Sequence, residues 1–148
     1  MSQQKVSCII PAYNEGKRIR NVLQAVNNHS LINEVIVIDD GSKDDTLLQI
    51  KKFKKVHIIV HKKNKGKSQT MVDGISAAKG PLVLFLDADL IGLTKENITQ
   101  LIKPVQEGKA DMSISLRKNA PFYAQIMGID IISGERVMDK KILHYYKD

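Results

Sequence analysis

The sequence has no tryptophan, four tyrosines and three phenylalanines, 5% aromatic in all. Proteins that grip single-stranded nucleic acid use aromatic side chains as stacking platforms, so a nucleic-acid partner is not expected. One cysteine, Cys8, excludes a disulfide framework and suits a reducing compartment. Cys8 stands inside an apolar run, where a buried core thiol is expected rather than a reactive one. No apolar run nears the roughly 20 residues of a membrane span. The segment Met1-Ser2-Gln3-Gln4-Lys5 lacks the charged and apolar regions of a signal peptide. The expectation is a soluble, cytoplasmic chain whose membrane contact, if any, is peripheral. No internal repeat, low-complexity tract or linker divides it.

What is present is ordinary for a globular protein: 148 residues, 43% hydrophobic and 26% charged. That length suits one domain with a real core, residues 1–148, and is short for two. The net charge of +7 favours anionic partners, among them nucleotides, sugar phosphates and anionic lipid.

The most informative stretch is Leu82-Val83-Leu84-Phe85-Leu86, which follows Gly80-Pro81 and ends in Asp87-Ala88-Asp89. Five apolar residues in a row read as a strand buried on both faces. Desolvating paired acids at its end is costly unless something binds them. Carboxylates are hard ligands suited to Mg²⁺ or Mn²⁺, which bridge phosphates. A solvated turn or helix cap is the plain alternative.

The rest of the chain repeats that pattern. Residues 5–10 form a first strand closed by Pro11, followed by a loop through Gly16. Ile19, Val22, Leu23 and Val26 have the spacing of an amphipathic helix. Glu15 reads either as a helix-start acid or as an acceptor for a ligand's ribose or base. Residues 34–40 form a second strand ending in Asp39-Asp40. Ser42 and Asp45 have capping-box spacing before a short helix. Residues 56–60 form a third strand flanked by His57 and His61, both expected to be partly exposed edge residues. Gly66-Lys67 then opens a helix, where outward N–H groups and a cation could hold a diphosphate. Thr94 caps a helix that carries Ile98, Leu101, Ile102 and Val105 and ends at Gly108. Residues 110–116 alternate as a half-exposed strand, and Arg117-Lys118 forms a basic loop. A turn over 133–136 and a helix over 137–146 complete the reading.

Strands alternating with helices predict an α/β fold: three layers, with a mainly parallel sheet and helices on both faces. In such sheets ligands bind beyond the carboxyl ends of the strands. Four successive strands end there in polar groups, which is a nucleotide pocket in physical terms: side chains for base and ribose, cations for phosphate, carboxylates for a metal.

These residues resemble a known family. The segments 9–15, 37–46 and 64–67 and the Asp87-Ala88-Asp89 "DXD" motif match family 2 glycosyltransferases in order and spacing. Residues 90–93 and 133–136 also resemble a bacterial subgroup without membrane spans. The resemblance implies the GT-A fold, which is Rossmann-like, and transfer of a sugar from a UDP- or GDP-sugar. It implies that Pro11, Ala12, Tyr13 and Glu15 contact base and ribose, and that Asp40 bonds the base. Lys67 would lie near the base or phosphates and Asp87 near the ribose, with Gly66 and Ala88 also binding the nucleotide-sugar. Asp89, with Asp87 beside it, would hold Mn²⁺ or Mg²⁺ on the diphosphate and serve catalysis. Arg117 would serve the leaving charge or an acceptor phosphate; a plain surface arginine is the alternative.

A hydroxyl acceptor would need a general base, and none of the late acids Asp130, Glu135 and Asp139 can be assigned that role. A polyprenyl phosphate acceptor is already ionised and needs none. The same gap predicts an incomplete acceptor side and weak or absent transfer. Other readings are a silent nucleotide-sugar-binding or oligomerisation domain, a nucleotidyltransferase, and a phospho-receiver domain. The last two fit less well, because the first strand is followed by Pro-Ala-Tyr-Asn-Glu and not by a Gly-rich loop or paired acids.

Overall fold

The structure, a computed structural model, describes residues 4–115 and 134–146. Its elements follow in the order β1 (Val6–Ala12), α1 (Ile19–Val26), β2 (Glu34–Asp39), α2 (Thr46–Ile50), β3 (Val56–Val60), α3 (Lys67–Ala77), β4 (Leu82–Phe85), α4 (Lys95–Gln106), β5 (Met112–Ile114) and β6 (Arg136–Asp139). A 3₁₀ helix, Lys140–Tyr146, follows β6.

The strands form one sheet in the order β3-β2-β1-β4-β6-β5. β1 to β4 run parallel, and β6 runs antiparallel to both β4 and β5. The apolar runs of β1, β2 and β4 are buried on both faces, as a parallel sheet between helices requires. Val6, Cys8, Ile10, Val37 and Leu84 point to one face, against Ile19, Val22 and Leu23 of α1 and Ile98 and Ile102 of α4. Ile9, Ile36, Ile38, Val83 and Phe85 point to the other, against Met71 and Ile75 of α3 and Ile142 and Leu143 of the 3₁₀ helix. This is the three-layer α/β arrangement that the sequence predicts. Cys8 is fully buried, and burial pushes its thiol pKa far up, so it is inert packing.

Three local expectations are corrected. Pro11 does not close β1; the strand runs on through Ala12, which pairs with Asp39. Proline is tolerated because of where its missing N–H falls. Ile9 accepts from Leu86 on the β4 side, whereas Ala12 accepts from Asp40 on the β2 side. Residue 11 therefore faces β4 beyond their last pair, Ile9 with Phe85, where β4 has ended. Ser42 and Asp45 form no capping box, since the N-cap Asp45 makes no side-chain cap bond. Asp44 bonds the Thr46 N–H at 3.0 Å instead. Finally, Arg136–Asp139 is a strand and not a turn and helix start, and the segment after it is 3₁₀. Its pairing with β4 decides this, reinforced by Arg136 stacked 5.3 Å over the Phe85 ring. α4 begins as expected at Thr94, in a full capping box with Asn97.

The chain leaves β1 for β2 and β3 on one side and returns to β4 on the other. In sheets of this kind such a reversal is the switch point at which a crevice opens beyond the carboxyl ends of the strands, here those of β1 and β4.

Candidate functional site

The loops after β1 and β2 are stitched into one wall. Asn14, at φ 54°, donates its N–H to Ser42 Oγ at 3.0 Å, and Asn14 Oδ1 accepts the Lys43 N–H at 2.8 Å. The Glu15 N–H donates to Thr46 Oγ1 at 2.8 Å and the Gly16 N–H to Asp44 Oδ2 at 3.1 Å. Desolvation, the largest single influence on Asp44, raises its carboxyl, but the Thr46 hydroxyl, the Thr46 N–H and the Gly16 N–H together hold it below the ordinary carboxylate range. Pro11 is half-buried and Ala12 buried, while Tyr13 is exposed above them. The Glu15 carboxylate turns to Arg18, 2.8 Å from its guanidinium.

Asp39 and Asp40, at the end of β2, are both buried. Asp39 Oδ1 accepts the Ser42 N–H at 3.1 Å. Asp40 Oδ1 accepts from the Lys65 N–H at 2.9 Å, and Oδ2 accepts from the Gly66 N–H at 2.8 Å. His61 Nδ1 lies 2.6 Å from Asp40 Oδ1. Burial works against the Asp40 charge, yet His61 and the two N–H groups outweigh it and hold the carboxyl below its ordinary range. His61 is thus buried between elements, not partly exposed at an edge; His57 is exposed as expected. The turn before α3 needs Gly66 at φ 88°, a left-handed conformation that lets its N–H aim inward. The N–H groups of Lys65 and Gly66 therefore serve Asp40 and do not point out of the helix toward a ligand.

Asp87, Ala88 and Asp89 leave β4 on the far side of the crevice. Lys67 Nζ reaches across to Asp87 Oδ1 at 2.5 Å. Arg18 approaches Asp89 Oδ2 at 4.0 Å. The structure thereby links the ends of β1, β3 and β4 through Glu15, Arg18, Asp89, Lys67 and Asp87. Two participants were missed. Arg18 had one sequence signal, its place three residues after Glu15 on an incoming helix. Gly134, just before β6, packs so tightly on Asp87 that a Cβ there would lie 2.1 Å from Oδ2. A lone glycine in an otherwise unreadable segment gave no hint of that. Arg117 and Asp130 lie outside the described residues. Asp139 Oδ1 accepts the Lys141 N–H, and Glu135 is buried.

Among the described residues, no three His, Cys, Asp or Glu side chains converge to hold a metal ion by themselves. Mg²⁺ and Mn²⁺ commonly take one or two carboxylates and complete their shells with phosphate oxygens and water. An Asp89 side chain 46% exposed, with Arg18 4.0 Å away, fits that mode. Asp87, 14% exposed and already bonded to Lys67, is the second oxygen donor nearby.

The family model for glycosyl transferase family 2 matches residues 7–122, which carry every one of these rim residues except Gly134. The chain belongs to glycosyl transferase family 2. Among its relatives in the family is a dolichol-phosphate mannosyltransferase of Pyrococcus furiosus, 31% identical over 93% of this chain and 42% of its own length. Another is a UDP-N-acetylglucosamine–dolichyl-phosphate N-acetylglucosaminyltransferase of Methanococcus voltae, 29% identical over 90% of this chain and 63% of its own. Glucosyl-3-phosphoglycerate synthase of Mycobacterium tuberculosis, crystallised with Mn²⁺, UDP-glucose and glycerol 3-phosphate, superposes with a TM-score of 0.81 at 23% identity, covering 95% of this chain and 58% of that one. That likeness gives the GT-A fold. The chain spans about half the length of the curated relatives it matches.

Proposed function

We propose that this chain forms the donor side of a glycosyltransferase that moves a sugar from a nucleoside-diphosphate sugar to a polyprenyl phosphate. The observation that carries the reading is the pairing of Lys67 with Asp87 and of Arg18 with Asp89 across one crevice at the fold's switch point. Pro11, Ala12, Tyr13 and Glu15 form the wall assigned to base and ribose, and Asp40, buried and bonded within the chain, stands behind that wall and supports it. Lys67 and Asp87 form the opposite rim, assigned to ribose and phosphates, with the Gly66 turn and the buried Ala88 behind them as its support. Asp89, with Asp87, would hold Mn²⁺ or Mg²⁺; bound there, the cation supplies charge to the departing diphosphate. Lys67 is 59% exposed, so its ammonium can leave Asp87 for an incoming phosphate at little cost. Arg18 is placed to do the same for Asp89. An ionised phosphate acceptor attacks without a general base, which suits a rim to which no such base is assigned. Arg117, outside the described residues, is assigned to the acceptor phosphate. The two dolichyl-phosphate relatives support this acceptor class. Among the described residues no helix is long and apolar enough to cross a membrane. The buried, unpaired Cys8 suits a cytoplasmic setting.

The test is transfer itself. The chain is incubated with Mn²⁺, a short polyprenyl phosphate and radiolabelled UDP-glucose, UDP-N-acetylglucosamine or a GDP-sugar in turn. Label entering the organic phase with one donor is expected. Donor binding without labelled lipid from any of them would refute transfer to this acceptor and leave a nucleotide-sugar-binding domain.

A further inference from the structure

His61 is a buried titratable group that the proposed reaction does not use. It sits just after β3, and its backbone N–H is spent on Asp39 O at 2.9 Å. Its ring lies between two carboxylates: Nδ1 is 2.6 Å from Asp40 Oδ1, and Nε2 is 2.8 Å from Asp73 Oδ2. A carboxylate accepts and cannot donate, so a ring with a proton on each nitrogen satisfies both contacts at once. Asp73 belongs to α3. Its carboxylate also accepts from Gln69 Nε2 at 2.9 Å and lies 3.8 Å from Lys65 Nζ. The charged groups facing the ring are therefore Asp40 from the end of β2, Asp73 from α3 and, through Asp73, Lys65 from the intervening turn.

The consequence is mechanical. Asp40 grips the N–H groups of Lys65 and Gly66, the two residues directly before Lys67. His61 ties that grip to the body of α3, about two turns beyond its start. Turn, helix and sheet are locked by one ring, and the locked part is the part that carries Lys67 to Asp87. We propose that His61 is a positioning residue for nucleotide binding, strapping Asp40 to Asp73 so that the Gly66 turn and Lys67 are held ready for a diphosphate. The inference rests on the reading of this crevice as a nucleoside-diphosphate site.

The experiment uses the whole chain with UDP and Mn²⁺ as probe, and reads affinity by calorimetry and amide exchange by NMR. His61→Phe keeps the volume and removes both donors; His61→Gln keeps one; Asp73→Asn neutralises the partly exposed partner. Loss of a hydrogen bond to a charged group costs about tenfold or more. His61→Phe is thus expected to weaken UDP binding at least tenfold, to speed exchange at Lys65 and Gly66 at least tenfold, and to leave α1 and α4 amides unchanged. His61→Gln recovers part of both losses, and Asp73→Asn weakens binding about threefold by the same logic. Should His61→Phe fail to fold, the other two carry the test. Unchanged affinity and unchanged Lys65 and Gly66 exchange in folded His61→Gln and Asp73→Asn would overturn the proposal. So would a uniform rise in exchange across all elements with affinity intact, the mark of a purely structural histidine. Failure of the unaltered chain to bind UDP overturns the parent reading and this one together, whereas variants that match a binding parent overturn this one alone.

Discussion

β2 and β4 end alike in sequence and differently in space. Each is a run of buried aliphatics that stops at a pair of acids. At the end of β2, Asp39 and Asp40 are 2% and 3% exposed and their oxygens are taken by N–H groups of the same chain and by His61. At the end of β4, the Asp89 side chain is 46% exposed and 4.0 Å from Arg18, while Asp87 is 14% exposed and bonded to the Lys67 ammonium. The first pair is spent within the chain, and the second keeps Asp89 open to solvent. The difference lies in what comes next along the chain. After β2, its own turn brings the Ser42 N–H to Asp39, and the segment beyond β3 brings His61, Lys65 and Gly66 to Asp40. After β4, Leu90 to Thr94 leads outward, with Ile91 91% exposed.

The comparison breaks most visibly if the inner pair is disarmed. Asp40→Ala strands the buried His61 ring and two N–H groups, and leaving buried donors unsatisfied costs about 3 kcal/mol. Urea denaturation should show that loss in the midpoint with little change in slope. At the outer pair the balance reverses. Asp89→Ala is expected to leave unfolding stability within about 0.5 kcal/mol, as for an exposed site. It should weaken Mn²⁺-dependent UDP binding about 100-fold, the scale on which metal-site changes act. Lys67→Ala is a smaller version: UDP binding about tenfold weaker by calorimetry, and stability within about 1 kcal/mol because the Asp87 pair is solvent-screened. The gentlest probe is acid. Asp40 and Asp44 have carboxyls held below their ordinary value of 3.8 in the folded chain. A depressed folded value contributes stability that is present above about pH 4 and lost as pH falls through the folded value. Thermal melts from pH 6 to pH 3 should therefore fall most steeply at the acid end, and Asp40→Asn should flatten that limb.

This contrast marks where sequence reading succeeds. Runs such as Leu82 to Leu86 and spacings such as Ile19, Val22, Leu23 and Val26 report the local environment of every residue in them, so β1 to β4, α1 and α4 were legible. The strand at Arg136–Asp139 was not, because four residues become a strand here by pairing with β4. Nor was the inner character of Asp40. Its partners stand 21, 25 and 26 positions away, and no period or motif links His61, Lys65 and Gly66 to it. Ser42 was misread for a related reason: its hydroxyl receives Asn14 from another loop instead of capping its own helix. Pro11 read as a strand end because its tolerance depends on where β4 diverges.

On the proposed reading, the outer acids hold a cation against a nucleoside diphosphate. Electron paramagnetic resonance of Mn²⁺ measures that directly, because the free-ion spectrum fades as the metal is immobilised. The account predicts that the chain together with UDP abolishes the free-ion signal far more than either alone, and that Asp89→Asn restores it. A signal unchanged by chain plus UDP, or one lost equally in Asp89→Asn, would contradict it.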